Sequence, residues 1–112
     1  MGEMKTSSSI DCQITPIVET IVRTYHPEKI VLFGSLAAGH RRTARDIDLL
    51  VVKRTKKNPW ARLAELDRWL DHQVPIDVLV YTPAEVDRYL KKGDEFFLTV
   101  MRAGRVVYEK TA

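Results

Sequence analysis

Lys29-Ile30-Val31-Leu32-Phe33-Gly34-Ser35, ten intervening residues, and then Asp46-Ile47-Asp48-Leu49-Leu50-Val51-Val52 is the stretch on which the reading turns. The first block is a short apolar run stopped by glycine, which predicts a buried strand ending in a turn. The second is apolar on both faces beyond Asp48, as in a strand of a sheet covered by helices on both sides. Residues 34–45 between them, with glycines at 34 and 39, read as a loop, with or without a short helical turn.

Before this stretch, apolar residues fall at Ile14, Ile17, Val18, Ile21, Val22 and Tyr25, predicting a helix over 10–25 with one buried stripe. His26-Pro27 ends it, because proline disfavours helical geometry in the residue before it. Downstream of a basic turn over 53–58, Pro59 suits the first position of a helix, and Trp60, Leu63, Ala64, Asp67 and Leu70 form its expected inward stripe. Trp69 lies off that stripe. Residues 75–81 predict a third strand. Thr82-Pro83-Ala84-Glu85 is a capping-box start for a helix running to about Lys92 and ending at Gly93. A last helix over 95–102 turns Phe97, Val100 and Met101 inward and closes at Gly104, before a short strand over 105–108. The order α-β-loop-β-α-β-α-α-β predicts one small α/β or α+β domain over 10–112, with residues 1–9 as a flexible tail.

Composition narrows the function classes. The chain has 112 residues, 45% hydrophobic and 29% charged, which suits one packed domain rather than disorder. No apolar run approaches the ~20 residues of a membrane span, and the polar start lacks a signal peptide's apolar middle. The single cysteine, Cys12, fits a reducing, cytoplasmic setting, with a partly buried structural thiol as its expected state. A net charge of +3 is too small to indicate nucleic-acid binding. His26 and His72 have no second ligand at useful spacing. Trp60, Trp69 and the Phe96/Phe97 pair read as core or interface aromatics, so a homodimer or a partner contact is an expectation.

The acids carry the chemistry. Asp46 and Asp48 are one residue apart on a strand, so their side chains leave the same face about 7 Å apart at the backbone. Two converging carboxylates repel by roughly 4 kcal/mol at about 4 Å and an effective dielectric near 20. A divalent cation reverses that sign, because hard cations take carboxylate oxygens. The competing reading is a solvated strand start. Asp77 is the one charged residue inside the apolar run Val74-Pro75-Ile76-Asp77-Val78-Leu79-Val80, and it joins the pair if the two strands are neighbours. Gly34 lets backbone N–H groups approach an anion, and Ser35 adds a hydroxyl donor. The Gly-Lys-Ser/Thr ending of a Walker A loop is absent.

Together these residues closely resemble the polymerase-β-like nucleotidyltransferase superfamily, and within it the minimal nucleotidyltransferases (MNT) of bacteria and archaea. The resemblance implies a mixed β-sheet flanked by helices. It also implies two Mg2+ ions on Asp46, Asp48 and Asp77, which would serve as metal ligands and catalytic residues. ATP would be the substrate, its phosphates held by Gly34 and Ser35. The arginine that relatives often carry after Gly-Ser is replaced here by Leu36-Ala37-Ala38, and the serine before the Asp-x-Asp by Arg45. Arg42 and Arg45 are the expected substitutes for the nucleotide-binding charge. With no acceptor-binding domain in 112 residues, the resemblance implies transfer of AMP to a hydroxyl, a tyrosine of a HEPN-domain partner, with this chain as antitoxin. The alternative is a non-catalytic nucleotide- or partner-binding module that neutralises its partner.

Overall fold

The computed structural model describes the backbone of residues 2–4 and 11–13, and residues 14–34, 47–70 and 75–111 in full. The chain runs β1 (Gly2–Met4), α1 (Asp11–Tyr25), β2 (Lys29–Phe33), β3 (Ile47–Val52), α2 (Pro59–Asp67), β4 (Ile76–Tyr81), α3 (Pro83–Lys91), α4 (Glu95–Ala103) and β5 (Arg105–Lys110). The five strands form one sheet in the order β1-β5-β2-β3-β4. β2 pairs antiparallel with β3 and β5, whereas β3 and β4 are parallel, so the sheet is mixed. A parallel pair needs a crossover, and α2 supplies it. Gly2–Met4, read from the sequence as part of a flexible tail, pairs antiparallel with Tyr108–Lys110. The described residues contain no helix long and apolar enough to cross a membrane.

The alternation of β3 explains the two cores. Ile47, Leu49 and Val51 face α1, where Ile14, Val18, Ile21 and Tyr25 are buried with Leu66 of α2. Leu50 and Val52 face the other way, against Val86 of α3 and Phe97 and Val100 of α4. Both faces of the central strands are therefore covered, as the uninterrupted apolar run requires. α1 stops at His26, whose φ of 54° leaves the helical region.

The expected inward stripe of α2 is a misreading. Trp60 is 82% exposed, and Leu63, Ala64 and Asp67 also face solvent, while Arg62 and Leu66 are the buried residues. Arg62 is 5% exposed and fully engaged. It donates to Glu85 Oε1 (2.7 Å) and Oε2 (3.2 Å), to Lys57 O (2.8 Å) and to Val80 O (3.3 Å). A charge so placed is tolerated because every contact is an ion pair or hydrogen bond. Glu85 in turn accepts from Thr82 N (2.8 Å), while Thr82 Oγ1 accepts from Glu85 N (3.1 Å), completing the expected capping box.

Gly104 does close α4, but not through a left-handed residue. Its φ is −73°, and glycine is needed there because a Cβ would collide with Val100 O and lie 2.8 Å from Val31 Cγ1.

Candidate active site

The site is built by strand register. Phe33, the last residue of β2, is the partner of Asp48 on β3, and Asp48 is the partner of Asp77 on β4. Register partners project to the same face, with neighbouring strands about 4.8 Å apart. Phe33, Asp48 and Asp77 thus form one row across three strands, on the face that α3 and α4 cover further along. Val31, Leu50 and Leu79 form the next apolar row of that face. The strand adjacency on which Asp77 depended is present, and in exact register. Asp48 is half-buried and Asp77 exposed.

Gly34 completes the row's end. It has φ +77°, a region that side chains rarely adopt. A Cβ on it would also collide with Asp48 Oδ2 and lie 3.2 Å from Cγ. Glycine is required twice over, by backbone conformation and by the carboxylate lying against the turn. The sequence reading gave Gly34 only an anion-facing role, and its steric fit to Asp48 could not be seen without the β2–β3 pairing. Beside it, Phe33 meets the half-exposed Phe96 edge-on at 5.5 Å, which makes an aromatic flank to the acids.

Ser35, Arg42, Arg45 and Asp46 lie outside the described residues, as do His40, Arg41, His72 and the side chain of Cys12. Among the described residues no three metal-ligating side chains come together. Asp48 and Asp77 are the two described members of the expected triad. Two hard oxygen donors in register suit magnesium chemistry. They fit what such a site would need.

The basic turn over 53–58 is tied into the fold by its charges. Lys53 donates to Tyr25 O at 2.5 Å and sits 4.8 Å from the Tyr25 ring centre. Arg54 pairs with Glu28 at 2.8 Å, and Lys57 pairs with Glu65. These groups lie at the opposite end of β3 from Asp48. A groove of about 630 Å³ also lies there, rimmed by Glu28, Lys29, Arg54, Asp87, Glu109 and Lys110. Those charges are paired across its rim, Lys29 with Glu109 and Lys110 with Glu28. A smaller groove of about 330 Å³ lies between α2 and the start of β4, on the face of Ile76 and Val78 opposite the acidic row, and Asp77 is among the residues that line it.

A mixed sheet with a Gly turn and in-register carboxylates on adjacent strands defines a domain of the nucleotidyltransferase class. Residues 16–112 match the family described as polymerase beta, nucleotidyltransferase, and the chain belongs to that family. Among solved structures, a Sulfolobus solfataricus protein assigned as a nucleotidyltransferase is similar at 25% identity and a TM-score of 0.59. The match covers 91% of this chain and 87% of that one. No curated protein gives a significant match.

Proposed function

We propose that this nucleotidyltransferase domain transfers AMP from ATP to a protein hydroxyl, a tyrosine of a HEPN-domain partner, and thereby acts as the antitoxin of a toxin–antitoxin pair. The observation that carries the catalytic part is the register of Asp48 with Asp77 beside Gly34. The partner and the antitoxin role rest on the resemblance to minimal nucleotidyltransferases.

Asp48 and Asp77, with Asp46, are the residues that would hold magnesium. A metal held there would supply neutralisation of the triphosphate charge. The chain's own groups do the rest by position. Gly34 and Ser35 hold the phosphates through backbone N–H groups and a hydroxyl, and Arg42 and Arg45 supply positive charge. Asp77, at the exposed edge of the row, receives the proton of the acceptor hydroxyl. That oxygen bonds to the α-phosphorus, the bond from α-phosphorus to the bridging oxygen breaks, and pyrophosphate leaves.

Incubation with α-labelled ATP, magnesium and a HEPN-domain protein tests this reading. Wild type should leave one AMP on a tyrosine, and Asp48→Asn should not. Equal labelling by the two, or none by either, overturns it.

A further inference from the structure

β4 is the last strand of the sheet, and its outer side runs directly into the acidic row. Ile47 N donates to Pro75 O at 3.0 Å, and Lys53 N to Tyr81 O at 2.9 Å. This phase of the parallel ladder turns the N–H and C=O of Asp77 and Leu79 toward β3, and those of Ile76, Val78 and Val80 outward. Arg62 Nη1 covers Val80 O at 3.3 Å. Among the described residues, nothing takes the outward groups of Ile76 and Val78. Edge strands are commonly blunted by lysine, proline or a covering element, because open edges template another strand. Here the edge is apolar, and Leu63, Ala64, Asp67 and Leu70 stand off it to leave the 330 Å³ groove floored by Ile76, Asp77 and Val78.

We propose that this open edge is a strand-addition site for an extended segment of the acceptor protein, with the hydroxyl-bearing residue seated across from Asp77. The proposal rests on the reading of Asp77 as the residue facing the acceptor. Three features select the occupant. A helix spends its N–H and C=O groups internally, whereas an extended segment has them to give to Ile76 and Val78. The edge carries both features, the groove on its Ile76 and Val78 face and the acidic row on the other, and Asp77 belongs to both. A second copy adding its own β4 antiparallel about Asp77 would set two Asp77 carboxylates directly opposite each other, and like charges so placed across strands are unfavourable.

The register also sets the geometry. Asp77 bonds to β3, so toward an antiparallel newcomer it is a non-hydrogen-bonded position. Paired Cα atoms there are only about 4.5 Å apart, and side chains are closest. The acceptor side chain would then extend the row Phe33–Asp48–Asp77 by one strand, on the same face.

Amide exchange measured by NMR tests this on the intact chain. The probe is a short soluble peptide of alternating threonine and valine with a central tyrosine and terminal lysines. An alanine-based helical peptide bearing the same tyrosine is the control. The extended peptide should slow exchange of the Ile76 and Val78 amides roughly tenfold, leave those of Asp77 and Leu79 unchanged, and outperform the helix. Val78→Pro removes an outward N–H that β3 does not use, and should abolish the effect. Ala64→Arg, on the exposed wall, should do the same without touching the strand. Unchanged Ile76 and Val78 amides, equal effects of the helical peptide, or protection that grows with protein concentration in the absence of peptide overturn the proposal. Adding labelled ATP and magnesium separates the two readings. Protection without label on the tyrosine refutes transfer and keeps the edge site, whereas label without protection does the reverse.

Discussion

The two ends of the sheet are built on opposite electrostatic rules. At the end where Lys29, Val52 and Tyr81 stand in register, charges are neutralised locally: Arg54 and Lys110 on Glu28, Lys29 on Glu109, Arg62 on Glu85. At the other end, register places two carboxylates side by side with a glycine beneath one of them. The first arrangement stabilises the fold without help. The second gathers hard oxygen donors that a cation can take, which is how a binding site differs from a structural network. The difference teaches that the fold's stability and its chemistry are held by separate groups, so each can be perturbed alone.

The largest separation should come from Asp48→Asn or Asp77→Asn. Nucleotidyl transfer should fall about 10³-fold, or about 4 kcal/mol in barrier, by analogy with losing one stabilising group at a reacting phosphate. Urea unfolding of metal-free Asp77→Asn should show near wild-type stability, since Asp77 is exposed. A destabilised Asp77→Asn would break the comparison.

Arg62→Ala should do the opposite. It strands Glu85 and uncovers Val80 O, and the expected loss is about 3 kcal/mol in a urea melt. Any residual transfer, measured well below the new midpoint, should keep the wild-type dependence on magnesium.

The two glycines with positive φ sharpen the contrast. Gly34→Ala and Gly93→Ala should each cost about 1 kcal/mol for the backbone conformation. Only Gly34→Ala meets a carboxylate, since a Cβ at Gly93 finds nothing within 4 Å. Transfer should therefore fall about tenfold for Gly34→Ala alone, roughly a further 1.4 kcal/mol in barrier.

The smallest effect is in acid. Hydrogen bonding from Arg62 holds Glu85 below its ordinary range, and hydrogen bonding from Arg54 does so for Glu28. A depressed carboxylate contributes stability that is present above its unfolded value and lost as pH falls through its folded value. Stability should therefore decline below about pH 4.3. In Glu28→Gln the acid limb of a thermal-melt series should be slightly shallower, and in Glu85→Gln the difference should be larger, because the Arg62 paired with Glu85 is buried whereas the Arg54 paired with Glu28 is exposed.

Much of the molecule was legible locally. Strand Lys29–Phe33, the stop at His26-Pro27 and the Thr82/Glu85 capping box depend on neighbours within a few residues, and each is found where pattern and turn chemistry put it. The α2 stripe failed for a physical reason. A nine-residue helix offers too few positions for periodicity to decide, and Trp60, Leu63 and Ala64 outvoted an arginine whose partner lies 23 residues away. Gly104 is the helix end expected, and its constraint is part local, from Val100 O, and part distant, from Val31 on β2.

From residue 11 onward the sequence by itself determined the element types, along with the family pattern and which acids to watch, because those follow from short-range sterics, burial and spacing. Only the tertiary structure decided that Asp77 is the register partner of Asp48, that Gly34 makes room for that carboxylate, and that Ile76 and Val78 turn their backbone groups away from β3. Strand neighbours and register arise from packing helices on both faces of the sheet, and no local pattern encodes which strand lies last.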